Sequence, residues 1–179
     1  MCPYGFAPAS KSEGIVYGAQ RPGYSSRSVS ADEVNVWIDF MRAAGIKRVC
    51  CLLSENQLKF YKGLLQQYED VFGSANICRA PVEDYHLCSL DLLKGKILPF
   101  LNVSSVSRTP VVVHCSGGSG RTGHVLAAWL VYGRGFSVDD ALDAVRQMGR
   151  NPLEAVGSGN AKRADLTNLL EACQSSRPK

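Results

Sequence analysis

The segment His114-Cys115-Ser116-Gly117-Gly118-Ser119-Gly120-Arg121-Thr122-Gly123 sets a cysteine and an arginine at the two ends of a short, glycine-rich stretch. Residues of these types in this order suit the binding of a phosphate dianion and a nucleophilic attack on it. Glycine reaches positive φ freely and lets backbone approach a ligand closely, so Gly117, Gly118 and Gly120 allow successive N–H groups to turn inward around one anion. A helix opening near Thr122 adds unpaired N-terminal donors and the positive end of its dipole. Arg121 offers a planar, two-pronged donor, which a lysine cannot. A thiol in such a positive field ionises more readily than a free one, and the thiolate is the nucleophile, which makes Cys115 the reactive group. Thr122 is placed to donate its hydroxyl to that sulfur. This chemistry calls for no metal and no cofactor, and none is expected.

A cysteine and an arginine so spaced are common by chance, and the flanks give the pair its meaning. Pro110-Val111-Val112-Val113 is the short, β-branched run of a buried strand, and Val125 to Val131 suits a buried helix. Upstream, Gly14 to Gly18 reads as an edge strand, followed by a turn at Ala19-Gln20-Arg21-Pro22-Gly23. Ser30-Ala31-Asp32-Glu33 is a capping box for a helix through Val34, Trp37, Ile38 and Met41 that ends at Gly45. Arg48 to Leu53 follows as a buried strand, and Ser54 to Gln57 caps a helix running through Leu58, Tyr61, Leu64 and Leu65. Ala75 to Val82 is the next strand, Leu90 to Val103 a helix, Ser137 the cap of another, and Ala161 to Cys173 the last. Strands alternating with helices predict an α/β fold, a mainly parallel central sheet with helices on both faces. Its ligand belongs at the carboxyl end of the Val111 strand.

The chain has 179 residues, 45% hydrophobic and 20% charged, which suits a single globular domain with one sizeable core. The reading divides it into residues 1–14, of uncertain order, one domain over 15–173, and a tail at 174–179. The formal net charge of +4 requires nothing beyond solubility and an anion site. Without basic runs or aromatics interleaved with basic residues, nucleic acid is not an expected partner. Seven irregularly spaced cysteines fit a reduced protein better than a disulfide scaffold. His86, His114 and His124 are too scattered to complete a zinc site. The opening residues lack the pattern of a signal peptide, and no apolar run reaches membrane-spanning length. The expectation is a cytoplasmic protein with no membrane partner.

The His-Cys, five residues, then Arg-Thr pattern resembles the signature loop of the cysteine-dependent protein tyrosine phosphatase superfamily. The resemblance extends from Ile15 to Leu170 and is to the dual-specificity type, nearest in character to kinase-associated and atypical members. It implies a phosphomonoesterase with the compact dual-specificity core and a phosphocysteine intermediate. Cys115 would attack phosphorus, Arg121 would bind the equatorial oxygens, and the loop of Ser116, Gly117, Gly118, Ser119 and Gly120 would hold the phosphate. His114 would tune Cys115 through a ring hydrogen bond to its backbone. An aspartic acid in the loop after a strand would protonate the leaving oxygen, which selects Asp84 in Glu83-Asp84-Tyr85-His86, with Glu83 as the alternative. Relatives often place glycines after this acid, where this chain has Tyr85 and His86.

Downstream, Arg150 to Asn160 resembles a dual-specificity stretch that ends in a glutamine positioning water for the second step, and Asn160 falls on that glutamine. As a plain reading, Asn160 caps the last helix. Arg21 sits in a turn resembling one near the phosphate loop of relatives, against the plain reading of an exposed arginine. Cys50 and Cys51 read as core, since the position of a redox-active cysteine in some relatives falls on Leu53. His124 receives no role. Tyrosine-only members of that superfamily are longer and carry an extra loop that deepens the cleft. Phosphoinositide-type members usually carry lysines inside the loop, and residues 116 to 120 hold none. The resemblance therefore implies a shallower site for phosphotyrosine and phosphoserine or phosphothreonine rather than for a polyphosphorylated lipid. The expected partner is a phosphorylated protein or a small phosphomonoester. A phosphatase of non-protein phosphomonoesters and a phosphate-binding adaptor without catalysis are the alternatives.

Overall fold

A computed structural model describes residues 2–174. Five strands form one sheet in the order β1-β2-β5-β3-β4: β1 Ala7–Pro8, β2 Val16–Ala19, β3 Arg48–Cys51, β4 Ile77–Arg79 and β5 Val111–His114. All neighbours run parallel except β1 and β2. The β-branched run of β5 takes the centre, with Val113 level with Gly18 on one side and Cys50 on the other. Its residues alternate between two cores, as the period of a strand demands: Val111 and Val113 belong to one hydrophobic cluster and Val112 to the other. Both faces are covered, the α/β arrangement that the alternation of elements predicts.

On the Val112 face lie α1 (Ala31–Ala43) and α3 (Leu64–Phe72). Ser30 Oγ accepts from the Glu33 N–H at 3.2 Å while Glu33 Oε2 accepts from the Ser30 N–H at 2.9 Å, and Val34, Trp37, Ile38 and Met41 face inward. On the Val113 face lie α5 (Leu98–Val106), α6 (Gly120–Trp129), α7 (Val138–Gln147) and α9 (Arg163–Gln174). Every residue of α6 is buried, which accounts for its apolar sequence.

Several elements differ from the sequence reading. The strand near Gly18, expected at the edge, is internal because Ala7 and Pro8 pair outside it. Residues 2–14 are tied to the fold at Glu13, whose buried carboxylate accepts from Trp129 Nε1 at 3.0 Å and pairs with Arg134 Nε at 2.8 Å. The helix expected from Ser54 through Leu65 divides into α2 (Glu55–Leu58) and α3, because Gly63 turns left-handed at φ +81. The helix from Leu90 runs on to Val106 as α4 (Leu90–Leu92), a π turn at Leu93–Ile97 and α5. The wider turn precedes Pro99, which has no N–H to give a regular α ladder. Beyond Gln174 the expected tail lies outside the described residues.

Candidate active site

Cys115 directly follows β5, and α6 opens at Gly120, so strand and helix fix both ends of the loop between them. Gly118 adopts φ +66, and a Cβ there would lie 2.6 Å from the Ala19 backbone, so this position is open to glycine alone. The sulfur of Cys115 accepts from Thr122 Oγ1 at 3.2 Å. Cys115, Ser116, Gly117, Ser119, Arg121 and Asp84 converge on one pocket of about 180 Å³.

Arg121 is gripped from one side of this pocket. Its Nη1 donates to the Val82 carbonyl at 2.9 Å and to Gln57 Oε1 at 2.7 Å. Its Nε and Nη2, which share the opposite edge of the guanidinium, are buried and make no hydrogen bond among the described residues. Nη2 has only an ion-pair contact, with Asp84 Oδ1 at 2.8 Å. One edge of the arginine is thus anchored, while the other carries two donors without hydrogen bonds, Nη2 facing the Asp84 carboxylate.

Asp84 also accepts from Gln57 Nε2 at 3.0 Å and from the Tyr85 N–H at 3.2 Å, with 41% of its side chain exposed. Glu83 is exposed and takes no part in the pocket. Tyr85 holds φ +59, a left-handed conformation that glycine adopts freely and a tyrosine rarely does. The Tyr85 carbonyl accepts from Asn160 Nδ2 at 3.0 Å. Asn160 therefore braces the Asp84 loop and does not line the pocket. It does not cap α9 either, since the Lys162 N–H at that helix start donates to Asp165 Oδ2 at 2.7 Å.

Two further arginines hold the loop from outside. Arg21 is buried, contrary to its plain reading, because its guanidinium collects the carbonyls of Pro22, Gly23, Tyr24 and Ser26 while Nε reaches Ser116 Oγ at 3.1 Å. Arg150 donates to the carbonyls of Gly118 at 2.6 Å and Gly18 at 2.7 Å. Among the described residues neither has a carboxylate partner.

The family with the description "Tc-R-P: Polymorphic toxin system, DSP-PTPase phosphatase" matches residues 23–135, more than half of the chain. The chain belongs to this DSP-PTPase phosphatase family. It is 29% identical over 102 residues, 55% of its length, to an Arabidopsis thaliana protein described as "Phosphatidylinositol 3,4,5-trisphosphate 3-phosphatase and protein-tyrosine-phosphatase PTEN1", and it spans 24% of that protein's length. The fold is similar to that of Tk-PTP in its active form, with a TM-score of 0.68, 24% identity and coverage of 98% of this chain and 99% of the other. It is similar also to PTPMT1 in complex with PI(5)P, with a TM-score of 0.69, 13% identity and coverage of 95% and 97%.

In this DSP-PTPase chain the two histidines beside the loop are both neutral supports. His114 Nδ1 donates to the Cys115 carbonyl at 3.3 Å, and Nε2 accepts from Tyr68 Oη at 3.2 Å. His124, given no role by its sequence position, ties the first turn of α6 to the Cys88 segment: Nε2 accepts from the Cys88 N–H at 2.9 Å, and Nδ1 donates to the Gly120 carbonyl at 3.1 Å. Gln57 was legible only as a helix cap, yet it bridges Arg121 and Asp84. Glu154, at the start of α8 (Glu154–Gly157), also lines the pocket. Gln57 belongs to the Ser54 cap and Glu154 to the Arg150–Asn160 stretch, but neither pattern points to a place in this pocket.

Burial, with Arg121 nearby, holds both imidazoles down to about 4 from the usual 6.5. The unfolded chain therefore takes up two protons that the folded one refuses. The stability this gives is complete above about pH 6.5 and is lost as the pH falls toward 4, up to about 3 kcal/mol for each histidine. Melting temperatures are expected to fall steeply over that interval, and His124→Gln should flatten the fall. An equally steep fall in the variant would refute the assignment.

Proposed function

We propose that this chain is a dual-specificity protein phosphatase acting on phosphotyrosine and on phosphoserine or phosphothreonine through a phosphocysteine at Cys115. The observation that carries the reading is Arg121, which lines one pocket with Cys115, is anchored by Nη1, and keeps Nε and Nη2 free of hydrogen bonds among the described residues, Nη2 beside Asp84. A phosphoryl group seated on that fork and on the loop amides stands in line for attack by the thiolate. Asp84, at the open side, donates its proton to the departing oxygen. The S–P bond forms as the P–O bond breaks, and water then releases inorganic phosphate and restores the thiolate.

Support for a protein substrate comes from the surroundings. Tyr24 and Tyr85, both half exposed, flank the pocket. A second recess of about 390 Å³ adjoins it, shares Tyr24, Asp84 and Ser116 with it, and extends toward Phe60 and Arg27, which gives room for residues beside the phosphorylated one. The names of the PTEN1 and PTPMT1 relatives favour a phosphoinositide as the second reading. Steady-state kinetics without added metal separate the two. Phosphotyrosine and phosphothreonine peptides are expected to give kcat/KM at least tenfold above that for phosphoinositide vesicles, and the reverse order would establish the lipid reading.

A further inference from the structure

We propose that Asn160 is a positioning residue for the general acid, acting through the Tyr85 carbonyl on the departure of the leaving group rather than on the water of the second step. The inference rests on the reading of Asp84 as that acid.

The end of α8 aims the side chain. Gly159 turns left-handed at φ +81, and its N–H donates to the Val156 carbonyl at 3.1 Å while the Asn160 N–H donates to the Ala155 carbonyl at 3.0 Å. This pair of bonds is the Schellman closure of a helix, and it fixes the backbone at Asn160. From there Nδ2 donates to the Tyr85 carbonyl at 3.0 Å, across 75 positions of chain. A carbonyl can only accept, so the amide is turned with its NH2 group toward it. Ser158 Oγ stands 3.4 Å from the same carbonyl and 3.3 Å from Nδ2.

The Asp84 loop is built to need such a hold. The His86 N–H closes a turn onto the Glu83 carbonyl at 3.2 Å, with Asp84 and Tyr85 as its two central residues. Tyr85 sits there at φ +59, a conformation that persists in a non-glycine residue only where its surroundings enforce it. Tyr85 is held at both polar ends, its carbonyl by Asn160 and its N–H by Asp84 Oδ1 at 3.2 Å. Release of the carbonyl lets the turn relax toward negative φ. That rotation withdraws the N–H from the carboxylate and loosens Asp84 from its place beside Gln57 Nε2 and Arg121 Nη2.

A residue with this role leaves its own kinetic pattern. The quantity kcat/KM covers the steps up to the departure of the leaving group, so a group that handles only the second-step water lowers kcat and KM together and leaves their ratio unchanged. A contact that merely stabilises the fold affects every substrate alike. A misplaced acid lowers kcat/KM more as the leaving group becomes poorer.

The test is kcat/KM for phenyl phosphate and for p-nitrophenyl phosphate, two small substrates that differ in their leaving groups. Asn160→Asp keeps the size of the side chain and puts an acceptor where the donor was, and Asn160→Ala removes the group. Both are expected to lower kcat/KM for phenyl phosphate by about three- to tenfold, the range of one neutral hydrogen bond, with little change for p-nitrophenyl phosphate. Asn160→Gln, which keeps an amide donor, should recover part of the loss. In an Asp84→Asn background, removal of the Asn160 amide should alter the ratio between the substrates no further. Equal losses for both substrates, an unchanged kcat/KM with a lowered kcat, or a further change in the ratio without Asp84 each overturn the role of Asn160. If Asp84→Asn itself leaves the ratio between the substrates as it was, the acid reading beneath the inference is the one that fails.

Discussion

Arg121→Lys is expected to lower kcat/KM for p-nitrophenyl phosphate by about a thousandfold, with Cys115→Ser removing turnover altogether. The size follows from geometry rather than from charge, since lysine keeps the charge. Arginine uses Nη1 to grip Val82 and Gln57 and so aims Nε and Nη2 as a rigid pair. An ammonium loses both the grip and the fork. Preorganised donors directed at developing charge contribute about 10²- to 10³-fold each in comparable sites, and the planar arginine supplies two. The measurement is steady-state turnover of variants whose melting shows them folded. An Arg121→Lys protein within tenfold of wild type would show that this loop is not where the chemistry occurs.

Asp84→Asn is expected to slow hydrolysis of phosphotyrosine peptides by tenfold or more while affecting p-nitrophenyl phosphate much less. A general acid contributes about 10²- to 10⁴-fold, and it matters most when the departing oxygen is a poor leaving group. Nitrophenolate leaves readily without a proton, and tyrosine does not. Glu83→Gln should change neither substrate, because its side chain is exposed and outside the pocket. If Glu83→Gln caused the loss and Asp84→Asn did not, the acid would be one residue away while the nucleophile stayed where it is. Asparagine also weakens the contact with Arg121, so the ratio between the two substrates is the decisive quantity rather than either rate alone.

The parts of this molecule that could be read in the sequence are those set by local rules. The β-branched run at Val111, the capping box at Ser30 and the loop between Cys115 and Arg121 each state their structure over a few consecutive residues. The parts that escaped depend on distant contacts. Nothing near Arg21 announces that its guanidinium will gather four carbonyls of its own loop, and Gln57 reads only as a cap until β4 brings Val82 and Asp84 beside it. Glu154 has meaning only because Gly120 leaves space for it, 34 positions earlier in the chain. The split of the expected helix at Gly63 belongs to the same class, since its apolar spacing continues unbroken while one left-handed glycine decides the geometry.

Arg21, Arg121 and Arg150 surround the phosphate loop with three buried guanidiniums, and among the described residues only Arg121 has a carboxylate beside it. Water around a dissolved phosphate must reorient each time its charge is redistributed. These side chains are already oriented when the substrate arrives, because folding fixed them through backbone carbonyls at residues such as Gly18, Tyr24 and Val82. The protein thus acts as a frozen solvent for a dianion, its polarisation complete before the anion enters. A neutral substrate of the same shape would find that medium hostile, so the same arrangement that suits a phosphoryl group disfavours an uncharged ester.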